Sequence, residues 1–240
     1  MLTNDAMNTW IIPDIHGYVK ALEGLLSQIQ PSKSDLLIFL GDYIDRGPDS
    51  KGVMDKVMQL QHDGYQIVAL RGNHESYMLE AYYQAISMGG GFFQKKNQKQ
   101  KAWFEHGGKE ALKSFGVKDL RKVPEKYIHW MEKTTLYYQT PEYVIVHAGL
   151  NFTLDDPFQD EHAMLWIKDF EVEPQKIGKR KVIHGHTPVS HEFIVESLNG
   201  EEFDFIDLDN GVYMEGRNGF GNLMALELDS KQLIVQPAEH

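Results

Sequence analysis

The sequence predicts an α/β fold. Three observations carry this: short β-rich apolar runs alternate with amphipathic helical stretches, the runs lack the polar alternation of a half-exposed strand, and the C-terminal fifty residues break into brief apolar runs separated by turn dipeptides. The runs at 9–12, 36–40, 66–70, 143–146 and 181–183 read as strands buried on both faces. Helical spacing links Leu22, Leu25, Leu26 and Ile29, then Val53, Val57 and Leu60, then Met78, Ala81 and Ala85, the last helix starting near His74. The first half therefore reads βαβαβα, a layered core. Met88-Gly89-Gly90-Gly91 ends the third helix, and residues 94–101, with four lysines, read as a solvated loop, with a basic substrate-contacting loop as the alternative. Residues 124–133 read as a helix opened by Pro124, with Ile128 and Met131 inward. Beyond residue 190, the runs 193–195, 203–207, 219–228 and 233–235 are separated by Asn199-Gly200, Asn210-Gly211 and Asp229-Ser230, and they read as antiparallel strands and hairpins of a second sheet.

Composition bounds the function. A chain of 240 residues without repeat or linker fits one domain spanning 1–240. Zero cysteines exclude disulfides, thiolate metal sites and a cysteine nucleophile. A mean hydropathy of -0.42 and no apolar run near the roughly 20 residues of a bilayer span argue against a membrane protein. Residues 1–8 lack a basic and then apolar leader pattern, so the expected location is cytoplasmic. A formal charge of -11 argues against nucleic-acid partners, so an anionic substrate must be drawn by a local positive site.

Five motifs follow the apolar runs directly: Asp14-Ile15-His16-Gly17, Gly41-Asp42-Tyr43-Ile44-Asp45-Arg46-Gly47, Gly72-Asn73-His74-Glu75, His147-Ala148-Gly149 and Gly185-His186-Thr187. In open α/β sheets the ligand crevice lies beyond the carboxyl ends of the strands, so the motifs converge there. Asp14 and His16 offer one oxygen and one nitrogen to a cation, and the two oxygens of Asp42 can bridge a pair. Gly41 leaves room for backbone and metal to approach closely. Asn73, His147 and His186 complete a mixed set of carboxylate, imidazole and amide donors suited to Mn²⁺ first, with Fe and Zn²⁺ as alternatives.

Taken in order, DIHG, GDYIDRG, RGNHE, HAG and GHTP resemble the phosphoprotein phosphatase family of calcineurin-like metallophosphoesterases, in particular its compact bacterial and phage serine/threonine phosphatases. The motifs span residues 14–188, and residues 206–228 resemble the family's closing sheet. The resemblance implies a β-sandwich of two mixed sheets flanked by helices and two divalent metal ions. Asp14, His16 and Asp42 would hold the first ion, and Asp42, Asn73, His147 and His186 the second. It further implies direct attack of metal-activated water on a phosphoryl group, with no phosphoenzyme. His74 would be the general acid, Asp45 would orient it, and Arg46, together with Asn73, would bind the phosphate. The plainer readings are a loop ion pair for Asp45 and Arg46 and a helix cap for His74.

In one place the chain departs from the family pattern. Compact relatives carry a second phosphate-binding arginine after a tryptophan, whereas here Met164-Leu165-Trp166-Ile167 is followed by Lys168 and Asp169. Lys168 in that role keeps the charge and loses the bidentate fork; a solvated surface lysine is the alternative. The other histidines match no motif, except that His184, two residues from His186, is expected to face the same side and support it.

Three function classes follow. Phosphomonoester hydrolysis on serine or threonine of proteins comes first, because Glu75 after the histidine and Arg71 before the glycine look more like that branch. Symmetrical diadenosine tetraphosphate hydrolysis is the alternative. A non-catalytic scaffold comes last, because all six ligands and the acid are present. The expected partners are a phosphorylated protein or a small phosphate ester, and the loops at 87–108 and 151–180 would choose between them.

Overall fold

The computed structural model describes residues 7–88 and 97–238, arranged as two mixed sheets with helices on their outer faces. The first sheet runs β3(Gln66–Ala69), β2(Leu36–Phe39), β1(Thr9–Ile12), β8(Asn222–Glu227), β9(Leu233–Pro237). Its first three strands are parallel and in register, Thr9 opposite Leu36 and Leu36 opposite Gln66. The second sheet runs β4(Tyr137–Gln139), β5(Tyr143–Val146), β6(Lys181–His184), β7(Phe205–Asp207), parallel except for β4.

Side-chain alternation along the strands builds three apolar layers. Ile11, Ile38 and Leu40 point from the first sheet onto Ile145, Ile183 and Ile206 of the second, forming the core between the sheets. The opposite face of the first sheet, Trp10, Ile12, Leu37 and Phe39, is covered by α1(Val19–Ile29), α2(Ser50–His62) and α3(Asn73–Ser87). The same layer takes in α4(Gln98–Glu105), α5(Gly108–Ser114) and α6(Glu125–Glu132). Val144, Val146 and Val182 of the second sheet meet Met164 of α7(Glu161–Trp166) and Ile177. The helices end where local chemistry stops them. Asp49 caps α2 by accepting from the Gly52 N–H, and α1 closes on Gln30 in a left-handed conformation.

Four expectations change. The run at 193–195 is not a strand: Ser190 accepts from the Phe193 N–H and opens α8(His191–Asn199), whose Ile194, Ser197 and Leu198 are buried at helical spacing. The closing strands do not form a sheet of their own. β7 lies parallel to β6, while the β8–β9 hairpin pairs antiparallel with β1 and extends the first sheet. The lysine-rich stretch is helical from Gln98 onward, with Asn97 as its cap; residues 94–96, like the glycines at 89–91, lie outside the described residues. Finally, β3 is an edge strand with Gln66 exposed, so it is not buried on both faces.

Candidate active site

All five motifs leave strand ends or enter a helix at one edge of the two sheets. The chain after β1 is held by the Asp42 carbonyl, which accepts from the Ile15 and His16 amides at 3.1 and 2.8 Å. After β2, Gly41 has φ 109°, and a Cβ there would lie 2.4 Å from the Gly72 nitrogen. The missing side chain therefore serves the close approach of two backbones. Gly72 in turn leaves space for Asp42, whose Oδ1 would lie 2.0 Å from a Cβ at that position. Glu75 closes this corner: buried at the start of α3, it accepts from the amides of Asp42, Tyr43 and Gly72, each at 2.9 Å, and of Ile44 at 3.4 Å. Several residues that this corner and its neighbours present are left-handed, a conformation that strains any residue with a Cβ. His16, Asp42, Asp45, Arg46 and His186 have φ values of 47°, 51°, 72°, 64° and 73°.

Two groups of cation-binding donors share Asp42. His16, Asp42 and His74 form one, and Asp42, His147 and His186 the other, with the donor atoms of each group within 4.8 Å of one another. Oδ2 of Asp42 lies 3.5 Å from His16 Nε2 and 3.8 Å from His74 Nε2, while its Oδ1 lies 3.7 Å from His147 Nε2. Asn73 Oδ1 lies 3.0 Å from His147 Nε2 and 3.1 Å from His186 Nδ1. Asp14 stands beside these groups, accepting from the His186 amide. Of the six expected ligands, five thus converge directly; Asp14 flanks them.

The donor chemistry fits a pair of cations. His16 Nδ1 and His147 Nδ1 face the carbonyls of Ile44 and Leu40 at 3.0 Å, and a carbonyl only accepts, so each ring turns the lone pair of Nε2 into the site. His16 Nε2 is buried with no hydrogen-bond partner. Burial lowers the pKa of His16 and His147 well below the ordinary histidine value and that of His186 to about 4, so the rings are neutral, as ligands must be. The acids show the converse. Burial, reinforced by the neighbouring Asp209 and Asp42 carboxylates, pushes Asp14 well up, and burial takes Asp42 to about 7. A dication between them would offset that repulsion.

One donor of the first group, His74, also pairs with Asp45. His74 Nδ1 lies 2.7 Å from Asp45 Oδ2, both groups buried, and burial lowers His74 to about 4. Arg46 Nη2 lies 3.2 Å from His74 Nε2, and its guanidinium stacks 4.2 Å above the Tyr213 ring. Lys168 is exposed just after α7, close enough to His186 to contribute to its lowered pKa, and it has no hydrogen bond or ion pair among the described residues. It borders a cleft of about 280 Å³ with Phe170, His184 and Phe205. His184 makes no hydrogen bond to His186; its ring packs 5.2 Å from Phe170 and 5.6 Å from Phe205, and its Nδ1 lies 3.2 Å from the Gly185 carbonyl. The left-handed turn at His186 ends the strand alternation that would have placed the two together.

Some participants escaped the sequence reading. His106 stacks on Tyr77 at 4.9 Å and lies 6.2 Å from His74, and His162 stacks on Trp166, which lies 6.5 Å from His186. Tyr213 and the buried Asp209 enter from the β7–β8 connection, and Trp103 enters from α4. Tyr213 and Trp103 follow no strand directly, so position along the chain offered no signal for them; Asp209 does follow β7 as Asp14 follows β1, and that position was the signal missed.

Two donor groups sharing one carboxylate, with an imidazole–carboxylate pair and an arginine among and beside them, have the chemistry that a dinuclear metallohydrolase uses. Residues 7–215 match the calcineurin-like phosphoesterase family, and the chain belongs to it. Its relatives carry the names of both serine/threonine phosphatases and bis(5'-nucleosyl)-tetraphosphatases, and the chain spans about a third of the length of the first of these phosphatases that it matches. It is 40% identical to serine/threonine-protein phosphatase 2 of Escherichia coli over 74 residues, which are 30% of this chain and 32% of that protein. An asymmetrical bis(5'-nucleosyl)-tetraphosphatase of Oceanobacillus iheyensis is 25% identical over 93% of this chain and 90% of its own length. Among solved structures, a serine/threonine phosphatase of Saccharomyces cerevisiae has the same fold, with a TM-score of 0.63 and 14% identity over 100% of this chain and 82% of that one. A protein provisionally assigned as a diadenosine tetraphosphatase has a TM-score of 0.64 and 19% identity, covering 100% and 97%. No described helix is long and apolar enough to cross a membrane.

Proposed function

We propose that the chain hydrolyses phosphomonoesters, with phosphoserine and phosphothreonine of proteins as its substrate class. In this reading Asp14, His16 and Asp42 hold one divalent cation, and Asp42, Asn73, His147 and His186 the other, Mn²⁺ being the expected metal. Bound there, the two cations supply an activated water and positive charge for the phosphoryl oxygens. The observation that carries the reading is the 2.7 Å contact of His74 with Asp45 at the edge of the cluster sharing Asp42. Asp45 accepts from Nδ1 and so directs Nε2 toward the leaving oxygen. Arg46 donates to that same Nε2. An incoming phosphate draws the guanidinium onto its own oxygens and frees Nε2; the Asp45 carboxylate and the phosphate charge then favour protonation there. Asn73 and Lys168 complete the phosphate contacts.

The choice of phosphoprotein rests on the relatives named serine/threonine phosphatase and on the motif Arg71-Gly72-Asn73-His74-Glu75. The side chains of Arg71 and Glu75 act only indirectly. Arg71 is tied to the carbonyls of Met131, Glu132 and Thr134, and Glu75 to backbone amides. A second reading, hydrolysis of a dinucleoside tetraphosphate, is favoured by the relative that matches nearly end to end. The Mn²⁺-loaded protein should show a higher kcat/KM for a phosphothreonine peptide than for diadenosine tetraphosphate; a large preference for the dinucleotide would overturn the first reading. His74→Asn should lower kcat on the peptide by about 100-fold or more.

A further inference from the structure

Trp103 is the largest fully buried side chain of the described residues, and it is not an ordinary core residue. Its indole Nε1–H donates to both oxygens of Asp45, at 3.0 Å to Oδ1 and 2.8 Å to Oδ2. The same carboxylate takes the His74 Nδ1 contact at 2.7 Å. Fifty-eight residues separate the two partners in sequence, so the link depends on α4 lying against the Asp45–Arg46 turn.

Two glycines after Trp103 make that placement possible. A Cβ on Gly107, whose φ is 104°, would lie 2.5 Å from the Arg46 nitrogen and 3.2 Å from the Asp45 Cβ. A Cβ on Gly108 would lie 2.4 Å from the Trp103 ring. The α4–α5 corner therefore rests its backbone on the very residues whose left-handed conformation is strained, and it delivers a hydrogen-bond donor to one of them. Ser50 fixes the other side, its Oγ accepting from the Asp45 N–H at 2.9 Å.

We propose that Trp103, seated by Gly107 and Gly108, is a positioning residue for the acid pair: its N–H holds the Asp45 carboxylate in the one orientation that aims His74 Nε2 at the leaving oxygen. Trp103 touches no reacting atom. A carboxylate without this donor is free to rotate about its Cβ–Cγ bond, and the imidazole it orients loses its aim. The inference rests on His74 being the proton donor.

Trp103→Phe removes the donor and keeps a ring in the core. The diagnostic is the leaving group. A phosphothreonine peptide needs a proton on its departing alkoxide, whereas p-nitrophenolate departs without one. In the Mn²⁺-loaded protein, kcat on the peptide should fall by about tenfold or more, kcat on p-nitrophenyl phosphate should fall far less, and KM should hardly move. His74→Asn, measured alongside, separates the two ideas. If His74→Asn discriminates between the leaving groups and Trp103→Phe slows both equally, Trp103 is structural and the inference fails while the acid assignment stands. If His74→Asn does not discriminate, both fail. A double-mutant cycle with Asp45→Ala, which removes every acceptor, adds a second readout: acting through Asp45, the tryptophan should cost little once that carboxylate is gone, and additive losses would overturn the link. Should Trp103→Phe not fold, the indole N–H of the Zn²⁺-loaded wild type serves instead. A slowly exchanging resonance that moves in Asp45→Asn supports the proposal, and one indifferent to that change refutes it.

Discussion

Replacing Glu75 with glutamine should destabilise the enzyme more than its buried, seemingly passive position suggests. Oε2 takes the amides of Asp42 and Gly72, and Oε1 those of Tyr43 and Ile44. A glutamine offers one oxygen and one NH₂, so in either orientation two amide donors face another donor. Each unsatisfied buried donor costs about 1 to 3 kcal/mol, giving about 2 to 6 kcal/mol in all. For a chain of this length each kcal/mol moves the melting temperature by about 2 to 4 °C, so a fall of at least about 4 °C is expected. Burial pushes the Glu75 carboxyl up to about 7, against the pull of the Gly72 and Asp42 amides, so thermal unfolding is best followed at pH 8, where the wild-type group is ionised. Because Asp42 hangs from the same carboxylate, metal retention after gel filtration should fall with stability. A melting temperature within about 1 °C of wild type would refute the accounting.

Two further outcomes test the site itself. Lys168→Arg restores a fork able to take two phosphoryl oxygens and should raise kcat/KM on a phosphothreonine peptide by about two- to tenfold; an unchanged or lower value returns Lys168 to the solvated surface. Gly185→Ala places a Cβ 2.6 Å from Asp14 Oδ1 and must displace that carboxylate. Metal analysis should then find about one ion per chain where the wild type retains about two, since one site loses a ligand; full retention would remove Asp14 from the ligand set.

Much of this molecule was legible from its sequence where one physical signal sufficed. Strands β1, β2, β5 and β6 are short runs buried on both sides, and the candidate metal donors sit just after them, so burial pattern and ligand chemistry pointed to the same place. Legibility ended where partners are chosen across the fold. The triplet Phe193-Ile194-Val195 by itself does not distinguish a helix from a strand; the Ser190 cap and the buried Ile194 and Leu198 decide it. The attachment of β8 to β1 is likewise a choice of neighbour that a run of apolar residues does not encode. Trp103 lies furthest from view, because a tryptophan at helical spacing reads as core and its bond to Asp45 spans 58 residues of sequence.

Of the eight described residues other than glycine with positive φ, five are His16, Asp42, Asp45, Arg46 and His186. At each, glycine would relax the backbone, and at each, glycine would erase the group that the proposed chemistry requires. Stability and function therefore pull in opposite directions at these same five positions. Substitutions that raise the melting temperature there should be the ones that silence the enzyme, and a search for a sturdier variant should leave them alone and look to the helices.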